Sequence, residues 1–410
     1  MKRALKIVVS WLIILLPFAM AISPAPVNVF MGMLIFFYLL KKILAKENIF
    51  PTTPINWPVY IFFFITCISL FNSVDLRDSL RGGVLRLLQY VFIFFAVAAE
   101  VKDKALIKKI FYAIALGALL SSLDALWQVI TGHDFIRGYE PILNIGLLRA
   151  TAAFKESNML GIYLSALAPL VFGITLYFFT KGKKFLFGII SLVIMAAIAL
   201  TYSRPTLLAI YVVFLFFTWV KKQKYFFISL IILMLISPLI APKAVKNWAK
   251  EVNYNPLRFM CNDDRIAVYR NSMHMIKAHP LIGVGANAFM KSYKKYKEYP
   301  EYRNVITLDE MKAHNIYLHL AGEIGLLGLG IFFWLLYKLF SFAKRTYQAT
   351  QDHFLKIVTL SLIACLIAFL VNGLTESSLS YSRVAMLFWY LAGLLCAMGN
   401  LKYANREKSS

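Results

Sequence analysis

Met159-Leu-Gly-Ile-Tyr-Leu-Ser-Ala-Leu-Ala-Pro-Leu-Val-Phe-Gly-Ile-Thr-Leu-Tyr-Phe-Phe-Thr180, then Lys181-Gly-Lys-Lys184, then a second apolar run from Phe185 to Thr201, decides the fold class. An uncharged run of this length matches the roughly 20 residues a helix needs to cross a bilayer, and a lysine turn is what separates one crossing from the next. The same pattern repeats along the chain. Apolar runs fall at Leu5–Ile22, Pro26–Leu44, Trp57–Phe71, Gly83–Ala99, Ile107–Ile130, Met159–Thr180, Phe185–Thr201, Pro205–Val220, Tyr225–Ile240, Ile316–Phe340, Phe354–Val371 and Val384–Met398. The expectation is an all-α polytopic membrane protein of about twelve transmembrane helices, with one large, partly helical periplasmic loop between helices 9 and 10. Its parts are helices 1–9 (residues 1–241), the loop (242–313), and helices 10–12 with a tail (314–410).

Composition agrees. The 410 residues are 60% hydrophobic and 16% charged, with mean hydropathy +0.68, too apolar for ordinary soluble domains. The net charge of +24 would suggest nucleic acid in a soluble chain, but here it reads as topology signal, so no nucleic-acid partner is expected. Cys67, Cys261, Cys365 and Cys396 are scattered and form no metal or disulfide pattern. The apolar start reads as a retained first helix rather than a cleaved signal. With both termini cytoplasmic, every inner segment is short and basic, as in Lys41-Lys42 to Lys46, Lys181–Lys184 and Lys221-Lys-Gln-Lys224.

The two basic residue types divide unequally. Inner segments use lysine except for Arg3, Arg345 and Arg406, while Arg77, Arg81, Arg86, Arg137, Arg149, Arg204, Arg258, Arg265, Arg270, Arg303 and Arg383 fall outside or near outer helix ends. Arginine offers a planar, permanently charged fork that fits phosphate, so the outer face looks built for an anion. The bland alternative pairs these arginines with Asp75, Asp78, Asp263, Asp264 and Glu376.

Four places on that face can carry chemistry. Leu148-Arg-Ala-Thr-Ala-Ala-Phe154 precedes the sixth helix, where Asn158 could serve as a cap and Arg149 could meet a phosphate. Thr201-Tyr-Ser-Arg204-Pro holds an arginine in a minimal turn at membrane level, which costs free energy unless a partner or a wet cavity receives it. Cys261–Pro280 reads as a helix begun by an Asn or Asp cap, carrying Arg265 and Tyr269 on one face, with Asp263 and Asp264 better suited to capping and dipole compensation than to metal ligation. The Gly283-Val-Gly285 turn lacks the context of a dinucleotide site. The lysine and tyrosine cluster Lys291–Tyr302 could lie on headgroups or sugar, or be a solvated face. His314 stands where the loop re-enters the membrane and can serve as a general base, whereas His319 and Glu323, spaced i, i+4, read as a packing pair. The other histidines read as structural.

Taken in order, Arg149-Ala-Thr-Ala-Ala-Phe154 with Asn158, Thr201-Tyr-Ser-Arg204, Arg265 with His279-Pro-Leu-Ile-Gly-Val-Gly285 and Phe289, and His314-Asn315 with Glu323-Ile-Gly-Leu-Leu-Gly328 resemble the O-antigen ligase and O-antigen polymerase superfamily. Where many relatives have Thr-Gly-Thr-Phe and then Pro-Asn, this chain has Thr151-Ala-Ala-Phe154 and Ser157-Asn158. The resemblance implies a bacterial inner-membrane, metal-independent, inverting glycosyltransferase without a cofactor. It would move a glycan from undecaprenyl diphosphate to a sugar hydroxyl of lipid A core on the periplasmic face, with His314 as base and Arg204, Arg265 and Arg149 on the diphosphate. Its partners would be the undecaprenyl diphosphate-linked glycan, lipid A core or another glycan acceptor, and membrane lipids. Competing readings are a polymerase or protein O-glycan ligase of the same superfamily and, from another class, a lipid-linked glycan flippase.

Overall fold

The computed structural model describes residues 2–144, 146–240, 242–298 and 309–406. Arg303 and the part of the lysine and tyrosine cluster beyond Glu298 lie outside the described residues. The fold is an all-α polytopic membrane bundle. All twelve apolar runs fall on helices: α1 (Lys2–Ile22), α2 (Pro24–Ala45), α3 (Asn56–Ile68, continued as a 3-10 turn to Asn72), α4 (Leu76–Glu100), α5 (Lys104–Thr131), α6 (Ser157–Tyr177), α7 (Lys181–Leu200), α8 (Arg204–Val220), α9 (Lys224–Ile240), α14 (Ile316–Ala349), α15 (His353–Asn372) and α16 (Ser382–Arg406). Between α9 and α14 lie four short or amphipathic helices: α10 (Lys243–Glu251), α11 (Pro256–Met260), α12 (Asp263–Ala278) and α13 (Phe289–Tyr293). Among the described residues, nine helices are long and apolar enough to cross a membrane, and α3, α8 and α9 are shorter apolar helices. The β content consists of a hairpin, β1 (Ile142–Asn144) with β2 (Leu147–Arg149), in which Ile142 faces Arg149.

Hydrogen bonds fix which helix ends lie together. At one end Lys41 pairs with Glu100, Lys104 with Asp352, and His353 Nε2 meets the Tyr177 carbonyl. At the other, the Ala150 amide donates to Leu200, the Ile316 amide to Gly373, the Tyr90 hydroxyl to Ser382 and Arg383 to Met20. Consecutive long helices therefore alternate in direction. The short lysine turns collect at one end, and the turns bearing Arg149, Arg204, Arg265 and His314 at the other, here called the site end.

Helices in lipid gain little from hydrophobicity when they pack, so close backbone approach matters. α15 lies against α6 where a Cβ on Gly173 would come within 2.0 Å of the Ser361 hydroxyl oxygen. Phe94, Tyr163, Phe354 and Tyr390 are fully buried in the same core, and the Tyr390 hydroxyl is satisfied by the Ile13 carbonyl at 2.9 Å.

The apolar run Ile316–Phe340 departs from simple helical form. α14 is interrupted at Gly325, whose φ of 73° and ψ of 179° lie outside the helical range. The freed backbone groups are taken by the loop: Val284 and Gly285 donate to the Gly322 and Glu323 carbonyls at 2.9 Å, and Leu326 donates to Pro280 at 2.8 Å. Irregular backbone is tolerated at this depth when protein re-satisfies it. A Cβ on Gly325 would meet the Leu281 carbonyl oxygen at 2.0 Å, so the Gly325-Leu-Leu-Gly328 and Gly283-Val-Gly285 signals are two halves of one contact. Asn72 and Ser69 of the α3 extension hold the loop from its other side, and Lys291 reaches Asp75 and Asp78.

Candidate active site at a buried glutamate

Glu376 sits in the turn between α15 and α16 and is fully buried. Its Oε1 accepts from Arg265 Nη2 at 2.5 Å and from Asn158 Nδ2 at 2.6 Å, and its Oε2 faces His314 Nδ1 at 3.4 Å. Asn158 in turn accepts from Arg149 Nη2 at 2.7 Å, while Arg149 Nε donates to the Thr201 carbonyl at 2.8 Å. Three residues singled out from sequence thus converge from distant segments, Arg265 and His314 directly on one carboxylate and Arg149 through Asn158. Burial alone would raise the Glu376 carboxyl, but Arg265, His314 and Lys312 together hold it below the ordinary carboxylate range. It is therefore an anion at neutral pH.

Each segment delivers its residue for a local reason. Arg149 ends β2, and the following turn is tied down by Gln128, whose Oε1 accepts from the Thr151 and Ala152 amides. Arg265 lies in the first turn of α12, begun by Asn262, whose side chain accepts from the Arg265 amide at 3.3 Å. Asn262, rather than Asp263 or Asp264, is thus the cap; Asp263 instead lies 3.6 Å from Arg258. Tyr269, one turn beyond Arg265 and on the same face, donates to the His314 carbonyl at 3.0 Å. His314 takes φ of 47°, a left-handed backbone that non-glycine residues adopt at a cost, and the next residue, Asn315, caps α14 through Tyr317 and Leu318. Strain of this kind persists where the surroundings over-determine it.

Arg204 is placed differently. It opens α8, with Pro205 in the first turn as the sequence suggests. Its guanidinium lies 4.0 Å from the Trp248 ring centre of α10 and donates to the Phe259 carbonyl. It is within electrostatic reach of Arg265 and Arg149, yet no carboxylate pairs with it among the described residues. Arg265 Nη1 is also buried without a hydrogen-bond partner among them. Burial lowers Arg149, and its neighbour Arg265 adds to this.

Beside the network, Tyr381 donates to Glu156 Oε2 at 2.8 Å, and Lys312 Nζ lies 3.7 Å from the Tyr381 ring centre. The cluster holds Arg149, Arg204, Arg265 and Lys312 against Glu376 and Glu156. Such a surplus of half-buried positive charge, with unsatisfied guanidinium donors, can hold a multiply charged anion.

Other sequence readings sort readily. Asn158 is a bridge between Arg149 and Glu376, not the cap of α6, because its side chain is drawn to two charged groups stronger than a backbone amide. His319 and Glu323 pair at 3.3 Å, with His319 stacked on Phe289, the packing role expected. His274 meets Glu298 and His279 meets Tyr296. Tyr293 of the lysine and tyrosine cluster is fully buried and bonded to Asn271. Arg383 is buried against Phe154 and donates to the Met20 and Ala153 carbonyls, a structural staple. Glu376 appears in the sequence reading as a possible arginine partner, not as a hub. Its signal is Thr375-Glu-Ser-Ser378, a polar turn between two apolar runs on the arginine side.

No curated protein matches the chain. A family model described as O-Antigen ligase matches residues 189–333, so this part of the chain, which contains Arg204, Arg265 and His314, is similar to that family.

Proposed function

We propose that this chain is an O-antigen ligase: an inverting glycosyltransferase that moves a glycan from undecaprenyl diphosphate to a sugar hydroxyl of lipid A core. The site end would face the periplasm and both termini the cytoplasm, with twelve crossings and the 242–313 loop outside. The observation that carries the reading is the cluster of four half-buried cations around the buried Glu376, with the exposed Glu156 beside Lys312 and a histidine at its edge. Diphosphate is already a good leaving group, so the protein need only stabilise the charge that grows on it. Positioned guanidinium donors in a water-poor site do this without reorganisation, and no metal is required.

In this reading Arg204 and the free Nη1 of Arg265 take the diphosphate, and Arg149 assists. The Glu376 carboxylate accepts from His314 Nδ1–H, which fixes the tautomer and leaves Nε2 as the base. That nitrogen removes the proton from the acceptor hydroxyl as the oxygen attacks the anomeric carbon; the carbon–phosphate oxygen bond breaks and the diphosphate leaves with the electron pair. Attack opposite the leaving group inverts the anomeric configuration.

The test is transfer by purified protein in detergent, given undecaprenyl diphosphate-linked glycan and lipid A core. Expected is core extended by glycan, with release of undecaprenyl diphosphate and no loss of rate on adding EDTA. Glycan joined to a second lipid-linked glycan instead of core would make the chain a polymerase. Translocation without any transfer would make it a transporter.

A further inference from the structure

Lys312 stands two residues before His314 and is half-buried beside the Glu376 network. Its ammonium has three donors. Among the described residues it has no hydrogen bond and no ion pair, and it rests on the face of Tyr381. Neither of the two carboxylates within electrostatic reach pairs with it. Glu156 accepts from Tyr381, and Glu376 is shared by Arg265, Asn158 and His314. Burial pushes the Lys312 ammonium below the usual lysine range, with Glu156 and Glu376 opposing this.

A cation so placed is unlike the packing arginine Arg383, whose guanidinium ends on two carbonyls. A contact with an aromatic face leaves all three N–H groups unspent. A lysine also differs from its arginine neighbours in having a flexible four-carbon stem that can carry a point charge to a ligand.

We propose that Lys312 is a further substrate-binding residue, resting on Tyr381 and moving onto the anionic diphosphate when the donor binds. The inference rests on the diphosphate reading of the same site. Its role is binding charge, not proton transfer, so the loss of Lys312 should appear in donor KM and leave kcat within about twofold.

The probes are inorganic pyrophosphate, followed by calorimetry on the detergent-purified full chain, and the lipid-linked donor in the transfer assay. Lys312→Met keeps the stem on Tyr381 and removes only the charge. It should weaken pyrophosphate binding and raise donor KM, each about tenfold, the size of one charge-assisted phosphate contact. Lys312→Arg should recover most of both. Arg204→Gln serves as the positive control for a diphosphate contact. Wild-type pyrophosphate binding and donor KM in Lys312→Met would overturn the role of Lys312 while leaving the diphosphate reading intact. Equal losses in Lys312→Met and Lys312→Arg would also overturn it, by making Lys312 a packing residue. Failure of wild-type protein to bind either pyrophosphate or lipid diphosphate would remove the reading beneath it, and Lys312 with it.

Discussion

Glu376 and Glu100 are both buried carboxylates surrounded by cations, at opposite ends of the same bundle. Around Glu100 lie Lys41 and Lys42, and Lys42 also reaches Glu47, so two cations meet two anions and the charge closes on itself. Around Glu376 the half-buried Arg149, Arg204, Arg265 and Lys312 outnumber Glu376 and the exposed Glu156, and a histidine joins the network. The difference teaches how to separate stabilising from functional charge in a membrane core. A balanced group has no use for a ligand, whereas an unbalanced one is complete only with an anion bound.

The comparison is broken most forcefully at His314. Replacing it with alanine should lower transfer by about 10²–10⁴-fold, the usual worth of a positioned general base, while lipid diphosphate binding survives. Retained turnover would make the histidine a mere neighbour of Glu376 and the two ends more alike than argued. Arg204→Lys comes next. It preserves charge but loses the planar fork and the stacking on Trp248, and a fall in kcat/KM of about 10²-fold is expected from two lost charge-assisted bonds. Wild-type kinetics in this variant would reduce Arg204 to a packing residue.

Neutralising each carboxylate sharpens the contrast directly. Glu376→Gln should cut transfer per folded molecule by about 10-fold or more, because Arg265 loses its counter-charge and His314 its orienting acceptor. Glu100→Gln should leave that rate unchanged and instead lower stability by about 3–5 kcal/mol, the cost of stranding a buried cation. Thermal unfolding in detergent, scored alongside transfer, reads both. If the two variants behave alike, charge balance does not distinguish the ends.

Acid provides a smaller test of the same point. The Glu376 carboxyl is held low in the folded chain, so the unfolded chain binds the proton first as pH falls. Its contribution to stability is complete above the ordinary carboxylate pKa of about 4.3 and is lost as pH drops through the lower folded value. Stability of the wild type should therefore fall more steeply below about pH 4.3 than that of Glu376→Gln. Parallel slopes would mean that Glu376 is not the stabilised anion described.

Much of this architecture was legible without coordinates. Apolar runs separated by lysine turns placed all twelve helices, and the arginine bias marked the site end. His314, Arg204, Arg265 and Arg149 were likewise named from chemistry and order, and the bundle gathers them. What could not be read was partnership. Asn158 looks like a helix cap because caps are local, but its amide is captured by Arg149 and Glu376 from elsewhere in the chain. Lys312 carries no signal of its own in the sequence, and the break in α14 at Gly325 is hidden because its hydrogen bonds are supplied by residues 280–285. Contacts across such separations leave no periodic trace.

The finest comparison lies within one turn of the site. Ala152 and Ala153 are both fully buried beneath Arg149, but Ala152 has φ of 44° and Ala153 has φ of −70°. The left-handed geometry at Ala152 is held because Gln128 accepts from the Thr151 and Ala152 amides. An alanine in that conformation costs about 1–2 kcal/mol relative to a right-handed one, which glycine avoids. Against this, glycine loses about 0.5–1 kcal/mol in chain entropy and roughly another 0.8 kcal/mol from the deleted methyl. The terms nearly cancel at Ala152 and add at Ala153. Ala152→Gly should thus leave the unfolding midpoint almost unchanged, and Ala153→Gly should be destabilised by about 1–2 kcal/mol. Equal losses at both positions would show that the backbone beneath Arg149 is not left-handed, and that Gln128 does not hold the turn as described.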